Sequence, residues 1–419
     1  MHPDDCGQRD MRKDKRWLWI AGCVVVVPIV IYAYIDGTSG WDTVSTEFMR
    51  NDKPYGAGAF RVQNNDFMSL KVARPELRFK PQREQSNPDV AEFAEPWMDD
   101  SNQRLNRSTV SFLRGTLDGS AVRHFQQPGQ SASWWYSPDW RVLYVSTGWM
   151  DYAAPRRDDG ASVQTTRLWK STDGGQHWAQ LEWPAERNIS RLLFIDTERG
   201  YAIGWGPRVW RTADGGQSWQ AIEEPPGAVV QDKPRRTFDS TDLGPDGVLR
   251  IAYQVQGDEH PQPASVVWRL AWGEQDFVRE AVLAGQAIVS LESPPTPARD
   301  YPLYALSRAS GNPGSGRSAG VMSTWTSEHP DQIQQLHAFD SRLTLNGLSV
   351  GRNGILLVHS TDPNTANGGG APIDLTITST DGGKTWQQST DAPSQGGYFD
   401  PQTNTLYSVF GYTLRKRKY

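Results

Sequence analysis

Three short stretches of this chain repeat one another: Ser171-Thr-Asp173-Gly-Gly175-Gln-His-Trp178, Thr212-Ala-Asp214-Gly-Gly216-Gln-Ser-Trp219 and Ser379-Thr-Asp381-Gly-Gly383-Lys-Thr-Trp386. Each joins a small hydroxyl, an acid two residues on, a glycine pair and a tryptophan. Strand-forming runs flank them, as at 167–170 and 178–182, so each copy predicts a tight hairpin turn. The carboxylate accepts turn N–H groups, the glycines supply positive φ, and the tryptophan covers the hairpin with an apolar face. All the polar chemistry is used inside the turn. Ser171, Asp173, Gly175 and Trp178, with their counterparts Thr212, Asp214, Gly216, Trp219 and Ser379, Asp381, Gly383, Trp386, are therefore structural rather than catalytic. A chain that repeats one hairpin in this way stacks or rings copies of a single supersecondary unit.

A longer unit is legible around the second copy. Phe194-Ile-Asp196, Gly200-Tyr-Ala-Ile-Gly204 and Val209-Trp210-Arg-Thr precede the turn and Trp219–Glu223 follows it, giving four strands. The turn motif, S/T-x-D-x-G-x-x-W, resembles the Asp-box of the BNR repeat families, which include sialidases, sortilin-type receptors and photosystem II assembly factors. The F-x-D-x-x-x-G-Y-A-x-G pattern ahead of the second copy resembles the assembly factors in particular, over one repeat. This resemblance implies an all-β fold, a β-propeller of four-stranded blades.

Degenerate hairpins fill the gap between the second and third boxes, at 266–272 with 277–283 and at 321–326 with 333–339. Another precedes the first box, at 110–114 with 121–125. After the last box come three strands at 397–399, 406–410 and 413–419 that lack a fourth. A strand near 67–72 is expected to complete that blade and close the ring. Seven blades are expected, with six as the alternative, over residues 106–419. Residues 36–105, polar and dotted with proline, read as a linker that contributes the closing strand.

Residues 17–35, WLWIAGCVVVVPIVIYAYI, carry no charge, and about 20 such residues cross a hydrocarbon core as a helix. Arg9, Arg12, Lys13, Lys15 and Arg16 precede the run and Asp36 follows it. The positive-inside rule then leaves 1–16 in the cytoplasm as a basic segment and sends the rest across, as periplasmic in a Gram-negative cell. A cleaved leader would want small residues at its end, which Tyr32-Ala33-Tyr34-Ile35 does not offer. Ile20-Ala21-Gly22-Cys23 resembles a lipobox, but the apolar run continues well past it. The only cysteines are Cys6 and Cys23, so the large domain has no disulfide and no thiolate metal ligand.

The resemblance to sialidases invites a search for their catalytic parts. No Arg-Ile-Pro motif is present, and the adjacent acids Asp99-Asp100 and Asp158-Asp159 read as solvated loops. The histidines lack metal-ligand spacing. Asp239, Asp242 and Asp246 miss the calcium-loop pattern and read as a turn between inner strands. No metal or cofactor is expected, and a net charge of -5 gives no argument for nucleic acid. The C-terminal Arg415-Lys-Arg-Lys418 is basic enough to meet a partner or to be a solvated strand.

The function expected is binding: a membrane-anchored, extracytoplasmic propeller serving as a scaffold for an envelope protein or glycan, in assembly or protection. The long loops at 151–165, 257–263, 309–317 and 362–372 are the candidate contacts. Alternatives are a diverged sialidase-like glycoside hydrolase and an immunity or inhibitor protein against a secreted toxin.

Overall fold

The computed structural model describes residues 42–45, 59–73, 108–117, 121–151, 163–184, 189–204, 208–226, 229–230, 233–234, 239–257, 260–296, 301–310, 319–363, 373–390, 397–410 and 413–419. The expected span at 17–35 and its basic flank at 1–16 lie outside them. Among the described residues no helix is long and apolar enough to cross a membrane.

The protein is a seven-bladed β-propeller, each blade a four-stranded antiparallel sheet whose first strand is innermost. Blade 1 comprises Ala59–Gln63, Asp66–Ala73, Thr109–Thr116 and Ala121–Pro128; blade 2 comprises Ser131–Tyr136, Leu143–Asp151, Val163–Ser171 and Ala179–Leu181. Blade 3 is Ile189–Phe194, Gly200–Gly204, Arg208–Thr212 and Gln220–Ile222, and blade 4 is Ser240–Leu243, Leu249–Gly257, His260–Leu270 and Val278–Ala284. Blade 5 runs through Gln286–Glu292, Pro302–Ala309, Gly320–Thr326 and His329–Phe339, and blade 6 through Thr344–Val350, Leu356–Asp362, Ile373–Ser379 and Gln387–Ser389. Blade 7 takes Gly397–Asp400, Thr405–Phe410 and Thr413–Lys418 from the C-terminus and its outermost strand, Asp42–Ser45, from the far end of the chain.

The second strands show why the pattern is not a simple alternation. Residues 143–148 and 303–307 are buried without interruption, because each blade is covered by a neighbour on both faces. The apolar clusters follow from the same geometry, and every blade interface holds one. Met68, Leu70, Val110 and Phe112 of blade 1 meet Leu143 and Val145 of blade 2. Tyr201, Ile203 and Val209 of blade 3 meet Leu249, Ile251 and Tyr253 of blade 4. Ile355 and Leu357 of blade 6 meet Phe399 and Leu406 of blade 7, and the ring is closed by Val409 and Leu414 of blade 7 against Phe60, Val62 and Phe67 of blade 1.

The hairpins expected at 110–125, 266–283 and 321–339 are the outer hairpins of blades 1, 4 and 5. Two expectations are corrected. The stretch 67–72 does not close the ring; it lies in the second strand of blade 1 and pairs with Thr109–Thr116. Closure falls to Asp42–Ser45, where Asp42 faces Lys416 and Thr43 faces Arg415. Residues 36–105 are thus not only a linker with one closing strand, since three strands of the ring lie within them. The cause is that blade 7 ends on its third strand, whose outer edge has no other partner.

A chain lacking residues 42–45 leaves the outward backbone groups of Leu414–Lys416 without their partners and reopens a sheet edge. Its melting temperature, read by calorimetry, is expected to fall by several degrees. An unchanged transition would show that this strand does not contribute to closure.

Candidate functional site

The boxes form the turns between third and fourth strands of blades 2, 3 and 6 and do not converge on one site. In the first, Asp173 Oδ1 accepts the backbone N–H groups of Gln176 and His177, both at 3.0 Å, and the Ser171 hydroxyl at 2.9 Å. Ser171 Oγ in turn accepts the Gly175 N–H at 2.8 Å, and the Trp178 indole N–H donates to the Gly175 carbonyl at 2.8 Å. Thr212, Asp214, Gly216 and Trp219 repeat the arrangement, as do Ser379, Asp381, Gly383 and Trp386. Gly175, Gly216 and Gly383 sit at φ of 91°, 83° and 91°, a region that favours glycine. The Thr385 hydroxyl and backbone N–H hold the Asp381 carboxyl down at about 2.

Two contacts of the boxes go beyond the hairpin. The tryptophan does not merely cover its own turn: Trp178 packs on Phe112 and Phe125 of blade 1, and Trp386 on His337 and Phe339 of blade 5. A cation on the third strand of the preceding blade also donates to a turn carbonyl. Arg114 reaches Gly174 at 2.9 Å, Lys170 reaches Gly215 at 3.2 Å, and Arg211 reaches Glu274 in the box-less turn of blade 4 at 2.7 Å. The signal was visible, since Lys170 and Arg211 stand directly before a box hydroxyl.

The first glycine of each box donates its N–H to the turn between the first two strands of its own blade, at Arg141, Glu198 or Gly354. Both turns therefore lie at one end of the propeller. The loops at 151–165, 257–263, 309–317 and 362–372 all join second to third strands. Their described flanks lie at the opposite end, and most of their residues are outside the described set.

At the box end a cleft of about 1290 Å³ opens across blades 7, 1, 2 and 3. Its walls carry Trp134, Trp135 and Tyr136 from the inner strand of blade 2, and Tyr398 and Tyr407 from blade 7. Arg61, on the inner strand of blade 1, stands among these rings. Its guanidinium carbon lies 4.2 Å from the Tyr398 ring centre, 5.4 Å from Trp134 and 5.5 Å from Tyr136. Its Nε donates to the Tyr136 hydroxyl at 2.6 Å and its Nη1 to the Phe60 carbonyl at 2.7 Å. Burial pushes the Tyr398 phenol upward, so it is a neutral donor at any physiological pH. Lys416 and Lys418 complete the rim. Among these aromatic and basic side chains only Trp134-Trp135-Tyr136 are consecutive in sequence; the others are scattered along the chain, so no local motif joins them.

A second constellation lies beside it. Asp242 and Glu292 sit on the neighbouring inner strands of blades 4 and 5, which are tied by the Leu291 N–H donating to Ser240 Oγ at 2.9 Å. Asp242 is buried, and its Oδ2 has no hydrogen-bond partner. Burial pushes both carboxyls up, and the negative charge of Asp242 helps hold Glu292 at about 8. Arg191 of blade 3, which also lines the cleft, donates to the Thr241 carbonyl and hydroxyl at 2.5 and 2.8 Å and offsets part of that charge. Asp239 and Asp246 do not join it, accepting instead from the backbone of Gln254 and Val248. Among the described residues no group of three or more His, Cys, Asp or Glu could hold a metal ion.

Two measurements check these assignments. Ser379→Ala leaves the buried Gly383 N–H unpaired and should cost about 1–3 kcal/mol in chemical denaturation; an effect near zero would remove the box from the list of stabilising elements. Glu292 has the opposite sign to the box acids. Its folded pKa is raised, so stability is full below its unfolded value, roughly 4.3, and is lost as pH rises towards about 8. Glu292→Gln should flatten stability across that window. Asp381, held low, loses stability as pH falls from roughly 4 towards 2. Identical pH–stability curves for wild type and Glu292→Gln would contradict the coupled pair.

Neither a protein-family model nor a curated protein matches the chain. Among solved structures it is similar to YCF48 bound to a D1 peptide, with 13% identity, 74% of this chain and 88% of that one covered, and a TM-score of 0.46. It is similar to a GH74 xyloglucanase from Xanthomonas campestris, at 15% identity, covering 73% and 49%, with a TM-score of 0.44. A polysaccharide lyase, the PL25 ulvan lyase bound to -[GlcA(1-4)Rha3S]-, aligns at 8% identity over 83% of each chain, with a TM-score of 0.48. Similarity at this level concerns the fold.

Proposed function

We propose that the protein is a membrane-tethered, extracytoplasmic propeller that binds an extended chain of an envelope partner, protein or glycan, in the cleft at its box end. The observation that carries this reading is the cleft itself: several aromatic side chains from blades 2 and 7 converge around one guanidinium of blade 1. Aromatic anchors with a polar, charged rim are what a docking surface needs. The Asp-box family resemblance fits this reading, since box turns stabilise a blade whatever the blade is used for.

A tether at 17–35 would suit the site's position. In blade 7 the strand Asp42–Ser45 runs antiparallel to Thr413–Lys418 and starts opposite Lys416, near the end where Lys418 pairs with Thr405. The chain thus arrives at the box end. A span at 17–35 leaves only residues 36–41 before Asp42, at most about 20 Å of extended backbone. The cleft would face the membrane, and the loops at 151–165, 257–263, 309–317 and 362–372 would face away.

One observation favours a glycoside hydrolase as a second reading. Hydrolysis of a glycosidic bond uses a protonated and an ionised carboxyl together, and Asp242 with Glu292 is a pair that resists double ionisation. Asp242 is nevertheless buried, which suits a channel wall better than a reacting group.

Capture of partners by the full-length protein from its native membranes tests the proposal. Wild type should retain a specific partner, and Trp134→Ala should lose most of it, at least tenfold, at a temperature where calorimetry shows both proteins folded. Equal capture by wild type and Trp134→Ala would contradict the site. Turnover of an aryl glycoside by the purified protein, abolished in Glu292→Gln, would replace the binding reading with the enzymatic one.

A further inference from the structure

We infer that the cleft takes an anionic glycan, with a sugar carboxylate seated on the open edge of the Arg61 guanidinium and sugar faces laid against the surrounding rings. This inference rests on the binding reading above and names its ligand class.

The charge balance of the cleft carries the argument. Arg61 is half-buried, and among the described residues no carboxylate pairs with it. Its hydrogen bonds engage Nε and Nη1, with Tyr136 and Phe60, and leave Nη2 without a partner among the described residues. A partly desolvated guanidinium lacking a counter-ion has lost hydration that cation–π contacts only partly replace. An anion at Nη2 would supply the missing charge-assisted hydrogen bond.

The rest of the rim has the same sign. Lys416 and Lys418 are exposed on the third strand of blade 7, and no described carboxylate pairs with either. The basic C-terminal stretch Arg415–Lys418 thereby acquires a place, since alternate residues of one strand point to the same face and two of its lysines line the cleft. The lone acid of the lining, Asp400, is already engaged: its carboxylate accepts the Gln402 N–H at 3.0 Å and the Thr403 hydroxyl at 2.6 Å. Arg191 is committed to Thr241. Among the described side chains two cations without a carboxylate partner, Arg61 and Lys418, therefore face one acid that is occupied, while Lys416 stands opposite Asp42 of the closing strand.

A glycan fits the remaining surface better than an acidic peptide does. Tyr398 and Tyr407 lie nearly parallel, 10° apart with centroids 6.2 Å apart, and Trp134 and Tyr136 stand across Arg61 from them. The parts of these rings that line the cleft, beyond what Arg61 covers, match the C–H faces of sugars, while the Gln63, Asn64 and Gln402 amides offer donors and acceptors to hydroxyls. An acidic peptide would draw on the cations but leave these ring faces without complementary surface.

Calorimetric titration of the full-length protein in nanodiscs tests the inference with oligogalacturonate, hyaluronan oligosaccharide, 3′-sialyllactose, methyl-esterified oligogalacturonate and a poly-glutamate peptide. At least one of the three carboxylate-bearing glycans should bind, its affinity falling steeply with salt. A neutral counterpart, such as the methyl ester of a binding oligogalacturonate, should bind at least tenfold more weakly. Arg61→Gln should remove most of that discrimination, and Arg61→Lys should restore part of it. Lys418→Gln, on an exposed residue, should weaken binding a few-fold and reduce the salt slope without changing the melting temperature. Equal binding of the methyl ester, tighter binding of poly-glutamate, or no binding by any of the three glycans overturns the inference. Partner capture from membranes is read separately, so a cleft that fails here and still loses its partner on Trp134→Ala leaves the binding function standing without the anionic glycan.

Discussion

The structure depends on packing between blades. A single four-stranded sheet with two apolar faces has no stable existence in water, and each of these blades hides both faces against its neighbours. Seven interfaces carry seven apolar clusters, and one of them, between blades 7 and 1, joins the two ends of the chain. The ring is therefore cooperative by construction, since loosening one interface exposes both blades that share it.

The boxes serve that packing. Their acids and hydroxyls satisfy the turn internally, which frees the tryptophan to leave its hairpin and cover the adjacent blade, as Trp178 does on Phe112 and Phe125. Blades without a box meet the same demand differently. Blade 4 buries Arg250 at 1% exposure, paired with Glu280 at 3.0 Å, and ties it across the interface to Tyr301 and Ser327 of blade 5. Stability thus resides in the outer hairpins and interfaces, and the inner strands at the box end are left to present side chains to the cleft.

What the sequence disclosed follows from how local each feature is. The outer hairpins were legible because the box, or the alternation that replaces it at 266–283 and 321–339, fits within one short stretch. In blade 1 a strand at 67–72 was legible but was assigned to the wrong blade, and 59–63 was not read at all, since both are cut off from their partners at 109–128 by a long polar segment. The closing strand was hidden in four residues, Asp-Thr-Val-Ser, with no periodicity to distinguish them from a linker. The cleft had little linear signature beyond the run Trp134-Trp135-Tyr136: Arg61, Trp134 and Tyr398 come together only when blades 7, 1 and 2 are placed side by side. The acid pair shows the same limit. Asp242 read as a turn residue, and its neighbour Glu292 became visible only across a blade interface.

The central claim is that function lies in the cleft at the box end and not in the long loops opposite. Hydrogen–deuterium exchange of the full-length protein in nanodiscs, with and without the partner recovered from its native membranes, tests this most directly. Protection concentrated in Ala59–Gln63, Ser131–Tyr136 and Gly397–Asp400 is the predicted result. Protection at 151–165, 257–263, 309–317 and 362–372, with those inner strands unchanged, would contradict it.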